Sequence, residues 1–214
     1  MMKPHYTDKR LTIHKITCGP YGNNAYIVVC NKTNESLLID TPAEPAVLLA
    51  VASTTQVQYI AITHNHMDHL LGFEEITKAI PAKVAIGEAD ASQLPASPDL
   101  YLSDGKDIQI GDLLIKSIHT PGHTDGSTCL YIDGHLFTGD TLFPGGPGKT
   151  KSPDHLKEII ESINQKLFVF DDGVNFYPGH GDDGILGESK KEYEVYFSKD
   201  HPDDLFGDVE WLKS

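Results

Sequence analysis

The stretch THNHMDH (63–69) sets three histidines and an aspartate within six positions, directly after the apolar run VQYIAIT (57–63). A short apolar run of this kind reads as an inner strand. His64, His66, Asp68 and His69 therefore stand where a buried strand ends, and the fold has to open that end onto a polar site. Alternate residues of a strand share a direction, so His64 and His66 point the same way. Curvature of the chain beyond the strand brings Asp68 and His69 round to the same space. Imidazole and carboxylate suit divalent zinc, iron or manganese. A polar loop that merely caps a strand does not call for four ligand-type side chains so close together. A mononuclear hydrolytic site needs about three protein ligands and an open position for water. Four candidates in one stretch thus point either to spare outer groups or to two metals.

The pattern recurs three times further along. TPGHTDG places His123 just after the strand that ends at His119, LFTGDT puts Asp140 at the end of the next apolar run, and NFYPGHG puts His180 at the end of another. Each is a ligand-type residue at a strand terminus in a glycine-bearing turn, where glycine permits close backbone approach and unusual dihedrals.

Around these junctions the chain alternates by blocks. Strand-like runs cover 11–18, 24–30 and 36–41, and a helical pattern opened by Pro42 and Pro45 spans 44–52. The inner strand 57–63 is followed by a helix over 71–79 and a strand over 82–87. Residues 94–106, rich in Pro, Ser and Asp, read as surface loop. Strands resume at 107–111, 113–120, 127–132 and 135–140. A Gly/Pro-rich loop (143–152) precedes a helix over 153–166, with Asp154 complementing its dipole. A last short strand (174–180) and a helix over 188–198 lead into an acidic tail, 201–214, of no clear period. Strands then helix, twice over, predict an α/β (α+β) chain of two sheets with helices outside. No internal repeat or low-complexity linker divides 1–214, which predicts one domain.

Bulk properties narrow the partners. A formal charge of -14 over 214 residues argues against nucleic acid and anionic membrane and favours a small-molecule substrate. No apolar stretch is long enough to span a bilayer, and MMKPHYTDKRLTI lacks the apolar core of a signal peptide. Cys18, Cys30 and Cys129 sit in apolar runs with no C-x-x-C spacing, as expected of buried thiols in a reduced, cytoplasmic protein.

H-x-H-x-D-H followed in order by TPGHT, TGD and PGHG resembles the metallo-β-lactamase superfamily over nearly the whole chain. The resemblance implies a four-layer αββα sandwich with a metal site at one edge of the paired sheets. It implies that His64, His66 and His123 hold one metal, that Asp68, His69 and His180 hold the second, and that Asp140 bridges them. TPGHTDGS, FTGDTLF and the GGPGKT loop are similar to the glyoxalase II-like branch (hydroxyacylglutathione hydrolases), and an Asp rather than a Cys at 140 points away from the zinc β-lactamases. Where that branch carries a glutathione-contacting segment, this chain reads TKSPDHLKE. The short His123–Asp140 spacing is also similar to the persulfide dioxygenases, which keep the same seven residue types yet hold one iron through positions matching His64, His123 and Asp140.

The expected activity is therefore hydrolysis of a small thioester or related acyl compound by hydroxide drawn from metal-bound water, with two zinc ions, or iron or manganese, as cofactor. Asp68 is expected to orient that hydroxide or carry its proton. A mononuclear iron persulfide dioxygenase and a lactone hydrolase are the alternatives, and a metal-binding interaction module is the non-enzymatic one. The remaining histidines (His5, His14, His119, His135, His155 and His201) read as surface or core residues. Lys149 is placed to meet a substrate anion or to stay solvated. Tyr21, Phe143 and Tyr177 are expected either to wall the pocket or to pack. GGPGKT lacks the full phosphate-loop spacing, because position 143 is Phe.

Overall fold

The computed structural model describes residues 3–214; Met1 and Met2 of the expected 1–214 domain lie outside the described residues. The first sheet has the order β1 to β7. In it β1 (Tyr6–Thr7), β2 (Leu11–Cys18), β3 (Asn23–Cys30) and β4 (Glu35–Ile39) are antiparallel neighbours, and β5 (Gln56–Ile62), β6 (Lys83–Gly87) and β7 (Leu100–Leu102) continue from β4 in parallel. Parallel neighbours need crossovers. These are supplied by α1 (Ala46–Ala52) between β4 and β5, by α2 (Met67–Leu70) and α3 (Phe73–Ala79) between β5 and β6, and by a 3₁₀ turn, Glu88–Gln93, before β7.

The second sheet has the order β15-β14-β11-β10-β9-β8. It runs antiparallel through β8 (Ile108–Ile110), β9 (Leu113–His119), β10 (Thr128–Ile132) and β11 (His135–Gly139). A small hairpin of β12 (Leu142–Phe143) and β13 (Gly146–Pro147) follows, then α4 (Pro153–Ser162), which continues into a π-helical turn, Ile163–Leu167. After this crossover β14 (Asn175–Pro178) lies parallel to β11, so both strands deliver their C-terminal ends to the same edge. β15 (Gly184–Ile185) and α5 (Leu186–Phe197) close the order.

Side-chain alternation builds three apolar layers. Between the sheets, Ile13, Val28, Leu37 and Ala61 of the first sheet pack with Ile115, Leu130, Phe137 and Tyr177 of the second. The opposite face of the first sheet (Ile27, Leu38, Ile60, Ile86) is covered by Leu48 of α1 and Phe73 and Ile76 of α3. The opposite face of the second (Cys129, Leu136, Phe176) is covered by Leu156 and Ile159 of α4, Leu186 of α5, and Val209 and Trp211 of the tail. β3 is buried at all eight positions because it is central in its sheet and covered on both faces. The expected αββα sandwich is the observed one.

Local differences have physical causes. The helix expected over 44–52 begins at Ala46, because Glu44 takes a left-handed backbone (φ 56). The helix expected over 71–79 begins at Phe73, and a separate short helix, α2, precedes it at Met67–Leu70. Gly72 lies where a Cβ would run into the Pro42 carbonyl, and its N–H donates 2.8 Å to Thr41, so the chain docks on the β4 loop before α3 starts. Expected loops hold short pairings: β7 within 94–106, and β12 and β13 across the 143–152 segment. The helix over 153–166 starts as expected, with the Ser152 hydroxyl accepting from the His155 N–H and Pro153 at the first position.

Candidate metal centre

Every ligand-type residue singled out in the sequence stands just past a strand end at one edge of the sandwich. The segment after β5 carries His64 and His66, then α2 carries Asp68 and His69. His123 follows β9, Asp140 follows β11 and His180 follows β14. The turn holding His123 fits only because residue 122 is glycine: its φ is +129, and a Cβ there would enter Ile159 of α4. Gly179 similarly lets the β14 end pass against His69 and Asp140, with no space for a Cβ.

Two nests result. His64 Nε2 and His123 Nε2 lie 3.1 and 2.9 Å from His66 Nδ1, and 4.0 and 3.6 Å from Asp140 Oδ2. On the other side, His180 Nε2 lies 3.1 Å and His69 Nε2 3.6 Å from Asp68 Oδ2. Asp140 belongs to both: its Oδ1 is 3.5 Å from His69 Nε2 and its Oδ2 3.7 Å from His180 Nε2. The groups His64–His66–His123, His64–His69–Asp140 and Asp68–His69–His180 each have ligand atoms mutually within 4.8 Å.

The donor set fits divalent ions. Buried polar atoms are almost always partnered, yet His69 Nε2 and Asp140 Oδ1 are buried with no hydrogen-bond partner and face each other across the site. Imidazoles packed 2.9–3.1 Å apart, beside carboxylates, are the arrangement a cation resolves.

Outer groups fix the rings. Asp40, buried, takes the His69 Nδ1 proton at 2.9 Å and accepts from the Thr63 N–H and hydroxyl at 2.8 and 2.9 Å. Thr63 Oγ1 in turn lies 3.1 Å from His64 Nδ1. His123 Nδ1 donates to the Lys149 carbonyl at 2.8 Å and His180 Nδ1 to the Tyr21 carbonyl at 3.2 Å. Such partners set which ring nitrogen is left for a metal. Asn23 Nδ2 donates to Asp68 Oδ2 at 2.7 Å. Asp90, on the 3₁₀ turn, accepts from the Asn65 N–H at 3.0 Å, the Thr124 hydroxyl at 2.6 Å and the Gly126 N–H at 2.9 Å, tying the His64–His66 segment to the His123 turn.

The electrostatics divide along the same line. Burial, reinforced by the neighbouring imidazoles, holds His64 far below the usual histidine range, and burial with His123 brings His66 down to about 4. His69 is also buried, but the Asp40 and Asp140 carboxylates outweigh that and raise it. For Asp68, burial opposes the charge, while hydrogen bonds from His180 and Asn23 overcome it and keep the carboxyl well below its ordinary range.

The remaining histidines stand apart from the cluster. His119 Nε2, for example, donates to the Asp125 carbonyl at 2.9 Å. Tyr177 is no pocket wall: it is buried between the sheets, its hydroxyl 2.7 Å from His135 Nδ1. Tyr21 is exposed, and its carbonyl accepts from His180 Nδ1. Phe143 does line a cavity of about 300 Å³ that opens on His123 and Asp140, with Lys149, Asp208 and Glu210 also on its walls. Asp40 is a residue that sequence reasoning passed over, although SLLIDT carries the same signal of an acidic residue at a strand end. Asn23 and Asp90 had no such signal. Cys18, Cys30 and Cys129 are buried and unpaired, as expected.

Comparison with known proteins bears on the family and the fold. The chain is 34% identical over 172 residues to a probable hydroxyacylglutathione hydrolase of Schizosaccharomyces pombe, covering 76% of this chain and 65% of that protein. It is 32% identical over 162 residues to a hydroxyacylglutathione hydrolase of Anaeromyxobacter dehalogenans, covering 75% and 62%. The chain thus spans a little under two thirds of the length of these relatives. Among solved structures it is similar to TTHA1623 in a di-iron-bound form, with TM-score 0.70 and 26% identity over 83% of this chain and 96% of that one. The model of the metallo-β-lactamase superfamily matches residues 18–193, and with the αββα sandwich and the His/Asp edge cluster in place, the chain belongs to that superfamily.

Proposed function

We propose that the protein is a dinuclear metal-dependent hydrolase of a small thioester. The observation that carries this is the double nest sharing Asp140, with His69 Nε2 and Asp140 Oδ1 left unpartnered at its centre. His64, His66 and His123 would hold one ion and Asp68, His69 and His180 the other, with Asp140 common to both. When bound, such ions acidify water and polarise a carbonyl oxygen.

The side chains supply the rest. Asp68, anionic and fixed by the Asn23 amide, is placed to orient the attacking water by accepting a hydrogen bond from it. Water oxygen bonds to the carbonyl carbon, the carbon–sulfur bond breaks, and acid and thiol leave. A thiolate is a stable leaving group, so the site needs no strong acid beside the sulfur. The superfamily relatives named hydroxyacylglutathione hydrolases support thioester chemistry, and two zinc ions suit the N/O donor set. Buried, unpaired cysteines and the net charge of -14 support a cytoplasmic protein acting on a small molecule rather than on nucleic acid or membrane; among the described residues no helix is long and apolar enough to cross a membrane.

One observation favours a second reading. His64, His123 and Asp140 alone form a two-histidine, one-carboxylate set of the kind that holds non-haem iron, which would make the protein a mononuclear iron dioxygenase of a thiol persulfide. Elemental analysis of protein purified without added metal separates the two. About two zinc ions per chain and thioester hydrolysis, both lost in Asp140→Ala and His66→Ala, are expected. One iron per chain with oxygen consumption would establish the second reading, and full hydrolysis in either variant would overturn the first. A lactone in the same assay tests whether oxygen esters are also cleaved.

A further inference from the structure

The tail that showed no period in the sequence is built into the wall of the cavity beside the metal centre. Trp211 is fully buried under α5, with ring contacts to Phe168 and Tyr193, and its backbone N–H donates to the Gly145 carbonyl at 2.9 Å. Upstream, Gly207 and Thr150 exchange two hydrogen bonds of 3.1 Å, from the Thr150 N–H to the Gly207 carbonyl and from the Gly207 N–H to the Thr150 hydroxyl. Gly146 lies flush against the Val209 carbonyl, with no space for a Cβ. Residues 207–211 are therefore a strap laid along the 145–150 loop, and the space between them is the cavity that opens on His123 and Asp140.

The strap sets a carboxylate against the cavity's lysine. Among the described residues Lys149 is the one lysine or arginine on its walls, and Asp208 of the strap, exposed like it, pairs with it, Oδ2 to Nζ 3.3 Å. Glu210 adds a further carboxylate from the strap, partnered by Lys213 on the outside. Lys151, the next lysine along the loop, does not line the cavity, and its charge acts instead on His66 and His123 at the metal centre. A substrate arm lying between loop and strap thus meets two ion pairs, Lys149–Asp208 and Lys213–Glu210, and no lysine of the wall left over for an anion, in a chain of net charge -14.

We infer that the strap makes the site select a thiol carrier without net negative charge, and so disfavours glutathione, whose two carboxylates exceed its one ammonium. This rests on the thioester reading for the chemistry, but the charge preference can be measured without turnover. The metal-loaded protein and its Asp208→Asn and Asp208→Lys variants would be titrated at low ionic strength with two unreactive thioethers, S-methylglutathione and S-methyl-N-acetylcysteamine, the second uncharged. The ratio of the two affinities cancels their difference in size between variants. It should move toward S-methylglutathione by about threefold in Asp208→Asn and about tenfold in Asp208→Lys, and the movement should shrink at high salt. A ratio constant within about twofold in both variants would overturn the inference. Acetyl thioesters of the same two thiols form the second arm. Hydrolysis of the N-acetylcysteamine thioester at the higher kcat/KM is expected. Loss of turnover on both, with the binding ratio moving as described, sinks the thioester reading and leaves the charge selection standing. Turnover of both with an unmoved ratio does the reverse.

Discussion

Asp40 holds a left-handed backbone, φ 63, which a non-glycine residue adopts only at a cost of order 1–2 kcal/mol. Its carboxylate is what that conformation delivers: three hydrogen bonds, to the Thr63 N–H, the Thr63 hydroxyl and His69 Nδ1. Asp40→Ala would free the His69 ring and leave the Thr63 N–H unpaired in the interior. Metal content is expected to fall from two ions toward one, with about 10–100-fold weaker binding of the ion at His69, read by competition with a chelator. Asp40→Asn, which keeps the amide contact to Thr63, should lose less. Protonation separates the two nests as well. His64 and His66 are depressed by burial, so they stay neutral and able to bind into acid, His66 down to about 4. His69 and His180 are raised, by Asp40 and Asp140 and by Asp68 respectively, so a proton competes with an ion there at a higher pH than at His64 and His66. Dialysis at falling pH should therefore release the ion at Asp68–His69–His180 first and the three-histidine ion later. Simultaneous release of both would contradict this.

At the scale of elements, the centre is a set of strand ends brought into contact by short connections. Asp90 is the tie between two of them, bonded to Asn65 beside the ligands of β5 and to Thr124 and Gly126 beside His123. Asp90→Ala would leave the Asn65 and Gly126 N–H groups unpaired, while the Thr124 hydroxyl keeps Ser127 as partner. About 1–3 kcal/mol of stability should be lost in the metal-free protein. The three-histidine ion should be weakened more than its neighbour, which calorimetry and Co(II) absorption would distinguish. That the seven candidate ligands gather at one edge was legible in the sequence because each lies at or shortly beyond the end of an apolar run, and strand alternation alone set His64 and His66 in one direction. Asp40 obeys the same rule, at the end of SLLI. Asp90 does not. It lies in a 3₁₀ turn and acts on residues 25 to 36 positions away, a relation that exists only after the sheets have closed. The short helix α2 was hidden for a related reason, since its end is set by docking of the His69 carbonyl and the Gly72 N–H on Thr41 rather than by any periodicity.

At the scale of the molecule, the tail is where sequence and structure part. Residues 201–214 have no helical or strand period, yet Val209 and Trp211 complete the apolar layer over the second sheet. Two anchors spaced along an irregular segment leave no repeating pattern to find. Trp211→Ala should cost about 3–5 kcal/mol, lowering the melting temperature by about 6–20 °C for a chain of this size. It should also loosen the strap, so the substrate KM should change more than the metal content, which isothermal titration would follow.

The edge cluster is divided between the two halves of the sandwich. His64, His66, Asp68 and His69 hang from the first sheet, while His123, Asp140 and His180 hang from the second. Any ion coordinated by both sets is a rivet through the seam. The rigidity of the whole chain then becomes a function of the free metal concentration around it, gaining about 2.7 kcal/mol when that concentration reaches a hundredfold excess over the dissociation constant. A chelator would act on such a protein as a mild denaturant, easing the seam apart and speeding amide exchange along β5 and β11 before any strand is lost.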